Sequence, residues 1–512
     1  MSKSERILLW SIAAATLVLR ALAFFRYRFD ADEQHHAHVA WGWTAGMVQY
    51  RDYFDNHAPL FHLLMAPFVA MLGERADVLL WLRLPMLVVF AAIVWGTYAI
   101  AKTLYDERVA MWSAVLLALF PPFFLKSLEF RTDNLWTALA IAAFLAFLRE
   151  RPFLAGLLLG CAFATSLKTM LLVITIIVAS AIVRRRPARV WPAVAGFVIV
   201  PAILAIAFAV LHAWDSLIYC TLTFNGNVAL TRRNLWVGRA IFPFTFAAVV
   251  WTAWRFRAIG TIERRFLATM IGVYTVTLAG FWVLISPRDF LPMMPLAAIF
   301  AAAALTRARN PVRAFAIVAA LCVASLWYYA DRFASNTAWH TTMMQQALRL
   351  TRPGEMIMDL KGETIFRKRP FYYAFENITR AQIAHGLLRD TVAEDVVRTR
   401  TYVAQADGPM WPPRARAFLS ENFVNLGRLR AAGQWIHDDG SFTIAIPGRY
   451  IVMSERGVAR GVLDGTAHAG ARELGAGAHR FERATRGESV CVVWAPAVER
   501  GHSPFHLRDR EF

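Results

Sequence analysis

Residues 7–25 read ILLWSIAAATLVLRALAFF, and residues 26–38 continue RYRFDADEQHHAH. As a helix, the first stretch approaches the ~20 apolar residues that span a hydrocarbon layer. The second stretch brings two carboxylates, Asp32 and Glu33, to within a few residues of its end. No small-residue cleavage pattern precedes FFRYRFD, so a retained helix is expected instead of a removed signal peptide.

Working outward, further apolar runs lie at 78–101, 109–125, 135–148, 153–167, 170–183, 190–211, 237–253, 266–285, 290–305 and 314–330. With residues 7–25 they make about eleven candidate membrane helices, several of them short of a perpendicular span. Residues 59–72 are apolar too, but that run holds His62 and Pro67 and ends in Gly73-Glu74-Arg75, which suits an interfacial or re-entrant helix. Composition agrees: 57% of the 512 residues are hydrophobic, 13% aromatic and only 18% charged. The mean hydropathy is +0.42. The fold class expected is a polytopic α-helical membrane protein, and its partners include membrane lipids. The formal charge of +19 does not point to nucleic acid, because much of the Lys and Arg falls in short loops between apolar runs. Cys161, Cys220, Cys322 and Cys491 are scattered and suggest neither a disulfide framework nor redox chemistry.

Those basic loops set the orientation. Alternating the spans from a cytoplasmic start collects Lys3 and Arg6, Lys102 and Arg108, Arg149 and Arg151, Arg184 to Arg186 with Arg189, Arg255 to Arg265, and Arg307 to Arg313 on one side. Positive charge is retained in the cytoplasm, so that side is inside. The opposite side receives residues 29–57, 129–133, Lys168, 214–236, 286–289 and the tail from Asp331 onward. The expected location is the inner (plasma) membrane, with the chemistry and the tail on the periplasmic face.

Every candidate for chemistry lands there. Asp32 and Glu33 suit a general base and an orienting acid, since a carboxylate at a dry membrane edge has its pKa raised. The plainer reading is a solvated loop, against which stand the crowded His35, His36, His38, Trp41, Trp43, Tyr50, Tyr53 and Phe54. Three histidines so close invite a metal, yet HExxH and other established ligand spacings are absent, so no metal ligand is assigned. In Glu129-Phe-Arg131-Thr-Asp133, the arginine either bridges its neighbouring acids or grips a phosphate while Asp133 completes an acidic site with Asp32. Lys168, in ATSLKTMLL, lies between two apolar runs, where an ammonium is costly unless it snorkels or meets an anion. Arg232 and Arg233, in NGNVALTRRNLW, and Arg288, in SPRDFLPMMP, are exceptions to the outer-loop depletion of basic residues; anionic lipid headgroups or a substrate phosphate account for them.

Taken in order, Asp32-Glu33, His57-Ala58-Pro59-Leu60, Glu129-Phe130-Arg131-Thr132-Asp133, Ser166-Leu167-Lys168-Thr169 and Arg288-Asp289-Phe290-Leu291-Pro292-Met293-Met294-Pro295 resemble the motifs of the GT-C superfamily of polyprenyl-phosphate-sugar-dependent glycosyltransferases. The arrangement is most similar to the protein O-mannosyltransferase and lipid A aminoarabinose transferase branches, over roughly the first 330 residues. Branch members often carry Lys-Pro-Pro-Leu where this chain has His57-Ala58-Pro59-Leu60. The resemblance implies a hexosyl- or pentosyltransferase with a polyprenyl-phosphate-linked sugar donor and a glycan, lipid or protein acceptor. Asp32, Glu33 and Asp133 would be catalytic. His57, Glu129, Arg131, Lys168, Arg232, Arg233 and Arg288 would bind substrate. Asp32 would act as the base, with Glu33 in support, in an inverting attack. No cofactor is required, and a divalent cation is compatible with these branches. Neither a P-loop nor a Rossmann glycine pattern occurs, as expected when the donor is already activated.

Three domains are expected: a transmembrane catalytic domain over 1–330, a mixed α/β region over 331–440 with helices near 341–350 and 383–388, and a β-sandwich-like module over 441–512. Two other classes of function fit the same pattern: a ligase, flippase or transporter of lipid-linked glycans, and a non-catalytic scaffold that presents the tail. The first of these calls for polar residues at mid-span, and the sequence has few.

Overall fold

The computed structural model of the chain describes residues 1–184, 190–231, 238–405, 408, 410–485 and 487–505. Helix α1, Lys3–Arg26, starts on a capping box in which Ser2 Oγ accepts from the Glu5 amide and the Glu5 carboxylate accepts from the Ser2 amide. Helices α2, Ala31–Thr44, and α3, Leu60–Leu72, form the short polar and apolar elements that follow. Next come α4, Val78–Leu104; α5, Glu107–Leu119; α6, Pro121–Lys126; α7, Thr132–Leu148; α8, Pro152–Thr165; α9, Thr169–Ile182; and α10, Val190–Val210. Helices Gly238–Arg255, Ile262–Phe281, Met294–Leu305 and Pro311–Tyr329 complete the apolar part.

Among the described residues, each apolar run read from the sequence is helical over most of its length. Lys3–Arg26, Val78–Leu104, Val190–Val210, Pro287–Leu305 and Pro311–Tyr329 are long and apolar enough to cross a membrane. Many of their large side chains, among them Trp10, Leu17, Val88, Ile206 and Leu321, point outward as lipid-facing residues do. The protein is a multi-pass membrane protein. The run at 109–125 is not one helix: it breaks at Phe120, where Pro121 and Pro122 remove two amide donors and α6 restarts with proline in its first turn. Helices α8 and α10 touch backbone to backbone, since a Cβ on Gly156 would lie 1.9 Å from the Ala193 carbonyl oxygen. Gly160 and Gly196 make the same close approach, a small-residue contact typical of membrane helices.

The tail buries a core of its own, including Ile357, Val403, Leu419, Val452, Phe481 and Val492. One sheet runs in the order Ile357–Met358, Val403–Ala404, Arg430–Trp435, Val490–Trp494, Gly448–Ser454 and Arg472–Leu474. Cys491 sits opposite both Trp435 and Met453, so this sheet crosses residue 440 and joins the two parts expected of the tail. A second sheet is built from Ser441–Ile444, Gly477–Arg483, Gly461–Leu463 and Thr466–Ala467. Helix Ala338–Leu350 contains the expected 341–350 segment. The one expected at 383–388 ends early: the helix is Asn377–Ala384, and Gly386 leaves it with φ of 72°.

The tail docks on the membrane part. The Asn336 amide donates to the Arg26 carbonyl at 2.9 Å, and Arg367 pairs with Glu74 at 2.8 Å. His38 Nδ1 donates to the Ile365 carbonyl at 2.7 Å. Gly362, with φ of 90°, lies so close to the His38 ring that a Cβ there would be 2.5 Å from it.

Arg83, fully buried in α4, holds the end of α1 by donating to the carbonyls of Ala23, Phe24, Tyr27 and Arg28. Phe24 lies in the last turn, whose carbonyls a helix end leaves without partners, and Tyr27 and Arg28 lie in the link that follows. Arg83→Met removes a charged donor from all these carbonyls, at a cost of at least ~3 kcal/mol. The midpoint of thermal unfolding of the detergent-solubilised protein is expected to fall clearly, and an unchanged midpoint would contradict this role.

Candidate functional site

Asp30 ends the link from α1 and caps α2: its Oδ1 accepts from the Asp32 amide at 3.1 Å, and Glu33 Oε1 accepts from the Asp30 amide at 2.8 Å. The D-x-x-E spacing at 30–33 is therefore a capping box. It turns the two acids in different directions. Glu33 is fully buried, and its Oε2 accepts from the Phe130 amide at 2.9 Å. Asp32 faces the other way, with its side chain 36% exposed.

Around Asp32, opposite charges alternate. Arg131 donates to Asp32 Oδ2, and Lys361 Nζ donates to Asp32 Oδ1 at 2.5 Å. Arg131 also reaches Asp30 Oδ1 and Asp133 Oδ2, each at 3.2 Å. Lys168 Nζ lies 2.9 Å from Asp133 Oδ1 and 2.6 Å from Asp289 Oδ1. Arg288 bridges Asp30 Oδ2 at 2.5 Å and Glu129 Oε2 at 2.8 Å, and Lys126 Nζ holds Glu129 Oε1 at 2.6 Å.

Helix starts and turns place these groups. Asn134 Nδ2 donates to the carbonyls of Lys126 and Glu129, folding the 126–133 turn tightly before α7 begins. Lys168 stands in the turn between α8 and α9, and Trp136 Nε1 donates to Thr169 Oγ1 at 3.0 Å to fix that turn against α7. Arg288 lies on the 3-10 segment Pro287–Met293, whose capping box uses Ser286 and Asp289.

The structure thus gathers Asp32, Asp133, Glu129, Arg131, Lys168 and Arg288 at one end of the helix bundle. The basic groups do not stand apart as a free half-site; each of these arginines and lysines is already paired with a carboxylate. Glu33, expected among the catalytic acids, instead spends both oxygens on backbone amides and braces the loop. His57, expected at the phosphate, donates from Nδ1 to Asp55 Oδ1 at 2.7 Å. Arg232 and Arg233 lie outside the described residues. The sequence reading missed Asp30, Lys126, Asp289 and Lys361 as members of the cluster. Asp30 and Asp289 carried capping-box signals; Lys361 comes from 329 positions away and carried none.

The expected rise in the Asp32 carboxyl is not what the cluster produces. Burial disfavours its charge, but Arg131, Lys361 and Arg288 outweigh that and hold it well below the usual carboxylate range. Glu33 is the carboxyl that rises. Burial, opposed by Arg83 and reinforced by Glu129, takes it to about 7. Burial also raises Glu363 and Glu376 to about 7.

A carboxyl raised by folding contributes stability that is full below its ordinary value and lost as pH rises through about 7. The depressed Asp32 contributes stability above its ordinary range, lost only on strong acidification. Buried His36, His38, His62 and His340 act in the opposite sense, since burial disfavours their charged form and their contribution rises with pH. The Glu33 share is therefore read from the variant: the thermal unfolding midpoint of the wild type relative to Glu33→Gln is expected to fall between about pH 5 and about pH 8, and a difference that rises or stays constant would contradict the assignment.

Residues 56–214 match the model of the dolichyl-phosphate-mannose-protein mannosyltransferase family. No curated protein matches the sequence. Among solved structures, ArnT from Cupriavidus metallidurans bound to undecaprenyl phosphate is similar at a TM-score of 0.62 and 12% identity, over 84% of this chain and 98% of that one. The apo state of ArnT from the same organism gives a TM-score of 0.57 and 11% identity, over 82% and 97%. The resemblance read from the motifs is met at the level of the fold: the chain has the GT-C fold of ArnT, and residues 56–214 match a family of membrane glycosyltransferases.

Proposed function

We propose that this protein moves a sugar from a polyprenyl-phosphate carrier to a glycan, lipid or protein acceptor on the periplasmic face of the inner membrane, with inversion at the anomeric carbon. One observation carries this reading: Asp32 is partly open to solvent while Arg131 and Lys361 grip its two oxygens. A phosphodiester arriving beside them is an anion with the same needs as Asp32. It draws Lys361, Arg288 and Arg131 toward itself, and Asp32 loses the cations that keep its carboxyl acidic. Donor binding thus makes the base.

Asp32 then takes the proton of the acceptor hydroxyl as that oxygen attacks the anomeric carbon. The bond from that carbon to the phosphate oxygen breaks, and its electron pair leaves with the phosphate. Arg131, Lys168, Arg288 and Lys361 stabilise the charge developing there. Asp133 holds Lys168 and Arg131 in place, and Glu129 does the same for Arg288 and Lys126.

The test uses the full chain in lipid nanodiscs, radiolabelled undecaprenyl-phosphate-linked sugars, and a membrane extract as acceptor. Asp32→Asn is expected to reduce transfer by ~10²–10⁴-fold while binding of undecaprenyl phosphate persists. Undiminished transfer by Asp32→Asn would overturn the assignment of the base. Transport of the lipid-linked glycan by wild-type protein that transfers no sugar would overturn the reaction itself.

A further inference from the structure

At the end of the bundle away from Asp32, three helices line a cavity of 810 Å³ that the reaction above does not use. Its walls are the end of α9 at 182–184, the helix Gly238–Arg255 between positions 243 and 254, and the helix Ile262–Phe281 between positions 265 and 276. We propose that this cavity binds an anionic diacyl phospholipid of the leaflet opposite the reacting carboxylate, with the lipid phosphate held by Arg184 and Arg265.

Helix length fixes which surface these arginines meet. Lys168, in the ion-pair cluster, stands at the start of α9, whose 14 residues carry the chain ~21 Å before Arg184. Ile262–Phe281 ends just before Ser286 and Asp289 of the cluster, and Arg265 lies in its first turn, ~24 Å back along the axis. Both arginines therefore reach the far surface of the apolar layer, the one the basic loops mark as cytoplasmic.

Between the two surfaces the lining is apolar. Residues 265, 268, 269, 272, 275 and 276 form one stripe along Ile262–Phe281, and Phe246, Val250 and Trp251 face it from the neighbouring helix. The stripe is open: a Cβ on Gly272 would meet no atom within 4 Å. Trp251, Trp254 and Val276 are exposed, so the cavity opens sideways to the lipid layer. From position 265 to position 276 the stripe runs ~16 Å, about half of a ~30 Å hydrocarbon core. That is the depth of one leaflet. A polyprenyl carrier whose phosphate sits beside Asp32 would have its headgroup at the wrong end.

The polar groups at the mouth lack protein partners. Arg264, adjacent in sequence, donates from Nε to the Leu104 carbonyl at 2.9 Å and lies 4.0 Å over the Tyr105 ring. Arg184 and Arg265 have no carboxylate or carbonyl partner among the described residues. Thr275 and Thr277 give their hydroxyls to the carbonyls of Ile271 and Val273 at 2.7 and 2.8 Å. Thr269, one turn deeper than Arg265 and lining the cavity, gives its hydroxyl to no carbonyl among the described residues. Two guanidiniums with a donor hydroxyl one turn below them match a phosphodiester and the ester carbonyl beneath it. Choline or ethanolamine would bring a further cation to the arginines, so a headgroup without an amine, as in phosphatidylglycerol, suits the site. The same two helices carry Lys168 and lead to Arg288 at their other ends, so the lipid would brace both cations of the reacting cluster.

The test involves neither sugar donor nor acceptor, so it is independent of the transferase reading. The delipidated full chain in detergent is titrated with dioleoylphosphatidylglycerol and, separately, with dioleoylphosphatidylcholine, and bound lipid is counted by native mass spectrometry. Unmutated protein is expected to hold one phosphatidylglycerol ~10–30-fold more tightly than phosphatidylcholine, as two basic contacts imply. Arg184→Gln/Arg265→Gln is expected to abolish that preference, and Gly272→Trp, which fills the cavity and leaves the arginines in place, to expel the lipid. Arg257→Gln, exposed but outside the cavity, is expected to retain it. Equal affinity for the two lipids in unmutated protein would overturn the proposal. A preference that survives both the double variant and Gly272→Trp would also overturn it, by assigning the binding to diffuse surface charge. Displacement of the bound phosphatidylglycerol by undecaprenyl phosphate would overturn it by giving the cavity to the carrier.

Discussion

Asp32 held between Arg131 and Lys361 is the contact on which the site depends. Charged groups at the edge of a low-dielectric layer are expensive unless paired, and removing one partner of such a pair costs far more than the pair itself contributes. The protein meets this by alternating signs. Lys126, Glu129, Arg288, Asp30, Arg131, Asp32 and Lys361 form one line, and Asp133, Lys168 and Asp289 branch from Arg131. Four separate stretches of the membrane part and one of the tail supply these residues, so the network ties the helix ends to each other.

The tail is consequently more than an appendage. Lys361 contributes its ammonium to Asp32 and its carbonyl to His35, and Ile365 receives His38. Gly362 permits that approach, since any side chain there would collide with the His38 ring. A tail that shifted would take a cation from Asp32 and leave its carboxyl closer to ordinary basicity. Domain position and the acidity of the Asp32 carboxyl are coupled through one lysine.

Much of this was legible in the sequence, for identifiable reasons. Apolar runs report membrane helices because lipid tolerates little else, and among the described residues each run named is helical over most of its length; the pair of prolines at 121 and 122 splits one, and the run at 290–305 starts as a 3-10 segment before turning α-helical at Met294. The basic loops grouped Asp32, Arg131, Asp133, Lys168 and Arg288 on one face, and these residues meet in space. What escaped was pairing across long separations. Lys361 has no local signature, and the depressed carboxyl of Asp32 follows from its presence. The roles of Asp32 and Glu33 were hidden differently: adjacent residues at a helix start point to different sides, and the capping box at 30–33 took Glu33 for the backbone.

The most direct measurement is a cryo-electron microscopy structure of the full chain in nanodiscs with undecaprenyl phosphate. The phosphate is expected within hydrogen-bonding distance of Lys361, Arg288 or Arg131, with at least one of the two cations on Asp32 withdrawn from it. A phosphate bound elsewhere, with both pairs to Asp32 intact, would contradict it.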